Sequence, residues 1–231
     1  MAEEPILTVA IKVENLERVY GSGEQKVIAL KQLSLEVPAG QFMAIKGRSG
    51  SGKTTLLNCL GGLDKPTSGS IQIFGSELTR LNDDQLTRWR REKVGFVFQS
   101  FGLLPTLSAY ENVELMLRIN GVPFRQRRER IDECLGLVGL NKWATHRPYE
   151  LSGGQQQRLA IARAIVTRPQ LILADEPTGE LDTETAMIIL ELFRNIVETE
   201  KMTIFASSHD SLVDEYVDEV LQLHDGAILT I

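Results

Sequence analysis

The chain has 231 residues, a formal net charge of −6 and a pI near 5.2. Its length suits one large domain, and a hydrophobic content of 42% is enough for a sizeable core. The acidic balance argues against nucleic acid as the main partner, because phosphate binding needs clustered lysines and arginines. Two basic runs, residues 88–93 and 125–130, are interrupted by Glu or Gln and are predicted to be exposed helix faces.

Neither the cysteines nor the N-terminus indicates export from the cell. Cys59 and Cys134 lie in no CxxC spacing, so we expect two reduced, buried thiols. The start, MAEEPIL, is acidic where a signal peptide would be basic, and no run approaches the roughly 18 apolar residues of a spanning helix. A function at a membrane would therefore need another chain to do the spanning.

The first hundred residues are typical of strands interrupted by one helix. A helix is predicted over residues 53–63, directly after a short apolar strand and a glycine-rich loop. The β-branched and apolar runs predict strands over residues 6–16, 27–37, 41–47, 70–75 and 94–99.

The second half begins with helical patterns and then alternates. Charged helical segments over residues 108–145 and a helix over 152–168 form a helical insertion at about residues 100–168. After it come strands over residues 171–175 and 203–208, a helix over 183–200 between them, and end strands over 219–226 and 227–231. Alternating strands and helices predict an α/β domain, residues 1–231, with a mainly parallel sheet.

The loop GRSGSGKT at residues 47–54 has the phosphate-loop spacing Gly47-x4-Gly52-Lys53-Thr54. Glycines allow successive backbone N–H groups to curl around phosphate oxygens, and the helix that follows adds its positive N-terminal end. Lys53 can reach the β- and γ-phosphates, and the hydroxyl of Thr54 can bind Mg²⁺. A strand before the loop and a helix after it are the context that this chemistry requires.

Polar residues follow three of the predicted strands. Asp175 ends a buried strand and can hold Mg²⁺, and Glu176 points elsewhere and can polarise a water molecule. Gln99 and His209 also follow strands, and we expect them at the same edge of the sheet. Gln99 can contact Mg²⁺ or water and His209 the γ-phosphate; the alternatives are a surface glutamine and a structural histidine.

The segment LSGGQQQR at residues 151–158 is a second candidate anion site. Ser152, Gly153 and Gly154 precede or open a helix whose first N–H groups are unpaired. If this segment lies too far from its own nucleotide, it can complete the site of a second copy. Two chains related by a two-fold axis would then enclose two ATP molecules.

Together with ELD at residues 180–182, these motifs resemble the ATPase subunit of an ABC transporter over essentially the whole chain. The resemblance implies a phosphate-loop NTPase fold, with an N-terminal antiparallel β-subdomain and an inserted α-helical subdomain. It also implies that Tyr20 stacks on adenine, that Asp182 links the two sites of a dimer, and that ATP and Mg²⁺ are the cofactors. The remaining implied roles are phosphate or metal binding by Gly47, Ser49, Gly50, Ser51, Gly52, Lys53, Thr54, Thr55, Gln99 and Asp175, general base for Glu176, a γ-phosphate contact for His209, and action on the partner's ATP for Ser152, Gly153, Gly154 and Gln155.

Longer stretches, including LLNCLGGLDKPTSG and ADEPTGELD, resemble the lipoprotein-release and macrolide-export group of ABC ATPases. That group implies integral membrane subunits with an extracytoplasmic domain and a peripheral position on the cytoplasmic face of the bacterial inner membrane. The group usually has Pro where this chain has Arg48, and Asn where it has Glu180. One hypothesis is that Arg48 contacts a phosphate, and another is that the charge of Glu180 weakens ATP-driven closure of the dimer. The expected docking residues are Phe98, Phe101, Leu103, Leu104 and Tyr110, with a role in the core of the insertion as the alternative.

Other functions stay open at this point. A non-transporting ATP switch that regulates cell-wall hydrolases would have the same motifs. A soluble ABC ATPase of translation or DNA repair usually carries two such domains, zinc modules or long coiled coils, which this chain lacks. A small-molecule kinase would share the phosphate loop but leave LSGGQ unexplained.

Overall fold

The computed structural model describes residues 9–229. The predicted strand residues 6–8 and 230–231 lie outside that range. The strands are β1 (Val9–Tyr20), β2 (Val27–Pro38), β3 (Phe42–Lys46), β4 (Ser68–Ile73), β5 (Ser76–Glu77), β6 (Val94–Val97), β7 (Leu171–Asp175), β8 (Thr203–Ser208), β9 (Glu219–His224) and β10 (Ala227–Ile228). The helices are α1 (Lys53–Leu60), α2 (Asp83–Lys93), α3 (Ala109–Ile119), α4 (Phe124–Leu137), α5 (Gly153–Ile165) and α6 (Thr183–Glu200).

The larger sheet has the order β10-β9-β3-β8-β7-β6, and all its neighbours pair in parallel except the edge strand β10. Strands β3, β7 and β8 are buried on both faces, which explains the near-continuous apolar sequences of β3 and β7. The smaller sheet is antiparallel, with the order β2-β1-β4-β5. The predicted α/β fold with a mainly parallel sheet is therefore confirmed.

The parallel sheet separates two hydrophobic cores. Along β3, Phe42 and Ala44 pack into the core formed with helices α3 to α6. Met43 and Ile45 pack into the core formed with α1, α2 and the antiparallel sheet. This alternation follows from the two-residue repeat of a strand. Phe42 meets Phe193 of α6 edge to face, with ring centroids 5.7 Å apart. Strands β3, β6, β7 and β8 each contribute side chains to both cores.

Residues 83–87 at the start of α2 were not predicted to be helical, and parts of the two basic runs are not exposed as predicted. Asn82 and Gln85 cap α2 reciprocally, a signal that the sequence does carry. In the first run Trp89 is buried, and Arg90 donates a hydrogen bond to the carbonyl of Gly62. In the second, the mostly buried Arg130 donates to the carbonyls at the end of α5, which compensates the negative end of that helix. The prediction of exposed helix faces is wrong for these residues.

Both cysteines are buried and unpaired, as predicted. Burial raises the pKa of Cys59 and of Cys134 to about 12, because the thiolate would lose its hydration. No helix within residues 9–229 is both long and apolar enough to cross a membrane.

A thiol reagent tests this burial. At pH 8 we expect both thiols of the native protein to react at least about a hundredfold more slowly than in denaturant, because only the thiolate is a nucleophile. The measurement is the time course of labelling with a disulfide reagent, with and without denaturant. Rapid labelling of either cysteine in the native protein would contradict the structure.

Candidate active site

The glycine loop connects the end of β3 to the start of α1, so its backbone lies at the carboxyl edge of the parallel sheet. Gly52 has φ +106° and Gly50 has φ +80°, backbone angles that residues other than glycine rarely adopt. A Cβ on Gly47 would lie 2.3 Å from the carbonyl oxygen of Leu223, and one on Gly52 would lie 2.5 Å from that of Ala29. The loop therefore depends on glycine at both positions to reach its neighbouring strands.

The Lys53 side chain is only 5% exposed although it carries a charge. Its Nζ lies 2.8 Å from the Gly47 carbonyl oxygen and 3.3 Å from Oε1 of Glu176. The hydroxyl of Ser51 is buried, with no hydrogen-bond partner among the residues described. A buried ammonium, an unpaired hydroxyl and the free N–H groups of α1 fit a polyphosphate. Ser49 and Thr54 are exposed and Thr55 is half-buried, so all three are accessible; Arg48 is also exposed.

The two carboxylates that follow β7 are held in different environments. Oδ1 of Asp175 accepts a hydrogen bond of 2.6 Å from the hydroxyl of Ser207 on β8. That same hydroxyl accepts a 2.9 Å hydrogen bond from the backbone N–H of Glu176. Glu176 has φ +44°, a strained value for a residue other than glycine, and strain of this kind collects at functional sites. The Asp175 carboxylate therefore contacts Ser207, whereas the Glu176 carboxylate contacts Lys53 and His209.

Glu176 lies between Lys53 and His209. Its Oε2 is 3.1 Å from Nδ1 of His209, which follows β8. A Cβ placed on Gly179 would be 3.5 Å from both Oε2 of Glu176 and Nε2 of Gln99. The Gln99 amide therefore lies near the Glu176 carboxylate. The structure thus brings together Lys53, Glu176, His209 and Gln99, all predicted at this edge of the sheet.

The LSGGQ segment forms the exposed N-terminus of α5. Ser152 and Gln155 cap it reciprocally, each accepting a hydrogen bond from the other's backbone N–H. A Cβ on Gly154 would lie 2.4 Å from Cγ2 of Thr185, so α5 packs closely against the start of α6. Within residues 9–229, no hydrogen bond or ion pair joins this segment to the glycine loop.

Asp182, predicted to link two sites, is the N-cap of α6. Its carboxylate accepts hydrogen bonds of 3.0 Å from the backbone N–H of Thr185 and 2.8 Å from its hydroxyl. These bonds lower the pKa of Asp182. Glu180, close to it in sequence, is exposed.

Two further residues belong to the site's surroundings and were not predicted. Ser207 orients both Asp175 and Glu176, and only its place at the end of β8 could have indicated it. Gln157 of α5 is fully buried; its Nε2 donates a 2.7 Å hydrogen bond to the Pro177 carbonyl, while its Oε1 has no partner among the described residues. The loop that carries Glu176 is therefore held from β8 and from α5.

Tyr20 ends β1, and its cross-strand neighbour is Val27 at the start of β2. Two residues further along β2, the carbonyl of Ala29 meets the glycine loop at Gly52. Tyr20 as a whole residue is 38% exposed. Tyr20, the residue predicted to stack on adenine, therefore lies on the strand pair that borders the phosphate loop.

Residues 30–179 match the family described as ABC transporter. An ABC transporter ATP-binding protein of Thermotoga maritima is 50% identical over 211 residues, which cover 91% of this chain and 90% of that protein. The macrolide export ATP-binding/permease protein MacB of Vibrio parahaemolyticus is 43% identical over 221 residues, covering 96% of this chain but 34% of MacB.

Solved structures of ABC cassettes are also similar to this chain. The ATP-binding cassette MJ0796 of Methanocaldococcus jannaschii, solved as a dimer in a post-hydrolysis state bound to ADP and Pi, matches with a TM-score of 0.88. The match has 43% identity and covers 95% of this chain and 97% of that one. The chain thus belongs to the ABC transporter family, as an ATP-binding ATPase domain of the group that includes MacB and MJ0796.

Proposed function

We propose that this ATPase domain hydrolyses ATP at the cluster of Lys53, Glu176 and His209 and drives a membrane complex that exports or extracts its substrate. The observation that supports this most strongly is the contact of one carboxylate with both a buried phosphate-loop ammonium and a histidine. The three side chains converge beside the glycine loop, where ligands bind in open α/β sheets.

Each residue has a distinct task in this proposal. The loop N–H groups and Lys53 bind the phosphates, and Glu176 accepts a proton from the attacking water. His209 contacts the γ-phosphate and holds the second carboxylate oxygen of Glu176. Thr54, Gln99 and Asp175 offer the hard oxygen ligands that Mg²⁺ prefers, and bound Mg²⁺ would neutralise phosphate charge.

A second copy of the chain completes the site in this proposal. Residues Ser152 to Gln155 present an exposed helix N-terminus, which attracts anions. Among the described residues they make no hydrogen bond or ion pair with their own chain's glycine loop, and the solved structure of the relative MJ0796 is dimeric. Two copies related by a two-fold axis would place each LSGGQ segment against the nucleotide of the other.

An apolar groove of about 450 Å³ suits the membrane partner. Its lining includes the side chains of Leu63, Phe98, Leu104, Met116 and Ile119. Of the predicted docking residues, Phe98 and Leu104 lie here, whereas Leu103 and Tyr110 pack against the core. Phe101 lies beside the N-terminus of α5. We infer that a cytoplasmic segment of an integral membrane subunit occupies the groove and that the chain lies on the cytoplasmic face of the inner membrane.

The substrate is proposed by group: a lipoprotein, peptide, lipid or antibiotic, handled by membrane subunits that carry an extracytoplasmic domain. The relatives named as macrolide exporters support this group. In these complexes ATP-driven closure would transmit motion through the groove to the membrane subunits.

Reconstitution with the membrane subunits tests the groove. Leu104→Asp should abolish co-purification and the extra ATPase activity that the subunits induce, because it buries a charge in an apolar contact. Basal ATPase activity should stay within about twofold, since Leu104 is 42% exposed.

The matched control is Leu229→Asp, which changes a leucine that is 52% exposed and outside the groove. It should co-purify like the unmodified protein. Normal coupling in the Leu104→Asp variant would exclude the groove as the docking site. Leu103→Asp is unsuitable, because Leu103 packs against the core.

A further inference from the structure

Tyr20 is held by two charged residues of which neither is part of the proposed catalytic cluster. Its hydroxyl donates a 2.6 Å hydrogen bond to Oδ2 of Asp64. Arg18 binds the same carboxylate with two hydrogen bonds, 2.9 Å from Nε and 2.7 Å from Nη2. The Arg18 guanidinium also lies over the Tyr20 ring, 4.3 Å from its centroid. Each of the three side chains therefore contacts the other two.

This triad connects Tyr20 to the helix that begins at the phosphate loop. Asp64 lies just beyond α1, where its backbone N–H donates a 3.1 Å hydrogen bond to the Asn58 carbonyl. The opposite end of α1 begins at Lys53. A helix of eight residues is about 12 Å long and stiff. The distance between the phosphate-binding end and the Tyr20 ring is consequently set by α1 and by the Asp64 carboxylate.

The triad leaves part of the Tyr20 ring accessible. Arg18 covers one face of the ring, and Tyr20 as a residue is still 38% exposed. Val27, directly across the strand pair, is 62% exposed and extends the apolar surface beside the ring. A flat aromatic surface with an apolar neighbour binds a nucleobase by stacking.

The electrostatics keep the triad assembled. Partial burial opposes ionisation of Asp64, but the hydrogen bonds from Tyr20 and Arg18 outweigh this and hold the pKa of Asp64 below its usual range. The side chains of Arg18 and Asp64 are each only 23% exposed, so their contact is shielded better than a surface ion pair.

We propose that Arg18 and Asp64 are positioning residues that fix the Tyr20 ring for base stacking and so determine how much the base contributes to nucleotide affinity. This inference rests on the stacking role of Tyr20 in the proposed function. Neither residue needs to touch the nucleotide. Removing either one frees the ring to rotate. Ordering the ring again on binding then costs conformational entropy, which weakens the affinity for ATP.

The experiment compares ATP with inorganic tripolyphosphate, which has the phosphates but no base. Equilibrium binding to the full chain is measured for Arg18→Gln, Asp64→Asn and Tyr20→Phe, the last of which keeps the ring but removes its hydroxyl. We expect ATP to bind about three- to tenfold more weakly to each variant, while the affinity for tripolyphosphate changes by less than about twofold. Thermal unfolding of each variant checks that it folds.

The control is Asp83→Asn, which removes a carboxylate from the exposed pair with Lys65, the residue next to Asp64. It should leave both affinities unchanged. Tyr20→Ala should weaken ATP binding more strongly, and adding Asp64→Asn to it should have no further effect, because the carboxylate then has no ring to hold.

Two failures can be told apart. If Tyr20→Ala leaves ATP affinity unchanged, the stacking role in the proposed function is wrong, and the positioning role falls with it. If Tyr20→Ala weakens ATP binding but Asp64→Asn and Arg18→Gln do not, the positioning role alone is wrong. Equal weakening of ATP and tripolyphosphate by Asp64→Asn would also overturn it, since Asp64 would then support the phosphate loop instead.

Discussion

Glu176→Gln should lower the turnover number for ATP hydrolysis by about 10²–10⁴-fold while ATP still binds. Glutamine keeps the shape of the side chain and an oxygen toward Lys53, but it cannot accept the proton of the attacking water. ATP held without hydrolysis should also trap two copies together. The measurements are phosphate release and molecular mass in solution, each with ATP and Mg²⁺.

The control for Glu176→Gln is Glu191→Gln, the same change at an exposed position of α6. It should hydrolyse ATP normally. A Glu176→Gln protein that stays monomeric and still turns over ATP would exclude Glu176 as the base. A monomer that binds ATP without hydrolysing it would support the base and show that closure needs the membrane subunits.

Gly52→Ala should destabilise the protein by about 2–6 kcal/mol and remove ATP binding. The estimate combines a backbone strain of about 1–3 kcal/mol with a similar cost for overpacking. The strain arises from φ +106°, and the overpacking from a new Cβ 2.5 Å from the Ala29 carbonyl oxygen. Because that oxygen belongs to the backbone of β2, it cannot rotate away as a side chain would.

Gly50→Ala separates these two costs. Gly50 has φ +80°, but a Cβ there would meet no atom within 4 Å. We therefore expect this variant to lose about 1–3 kcal/mol from backbone strain alone. Both variants are unfolded in denaturant without nucleotide. Equal losses for the two would contradict the close approach of the loop to β2.

Sequence patterns predicted the buried elements best. The bounds of β7, α6 and β8 agree with the predicted ranges, because apolar strands buried on both faces and an Asp182 cap leave clear signals. Residues 83–87 at the start of α2 were missed because they are polar, with only Leu86 buried. The predicted helix over residues 53–63 ends earlier, at Leu60, where Gly61 and Gly62 follow.

The candidate site was predictable to the extent that it depends on strand ends. Asp175 ends β7, Glu176 follows it and His209 follows β8, and neighbouring parallel strands end at one edge of the sheet. Ser207 was missed because a serine within a strand has no distinguishing pattern. The contact of Arg18 with Asp64 joins residues 46 positions apart in different elements, and one sequence holds no signal for such a pair.

The pairing of β3 with β9 has a consequence for protein synthesis. The phosphate loop is near the N-terminus, but its Gly47 packs against Leu223, and the Ser51 carbonyl accepts a hydrogen bond from Gly226. On the ribosome, the loop therefore lacks these supports until residues 219–226 have emerged. Because the contacts span more than 170 residues, their formation is slow and comes late in folding. Nascent chains that end before residue 226 should not compete with the finished protein for ATP.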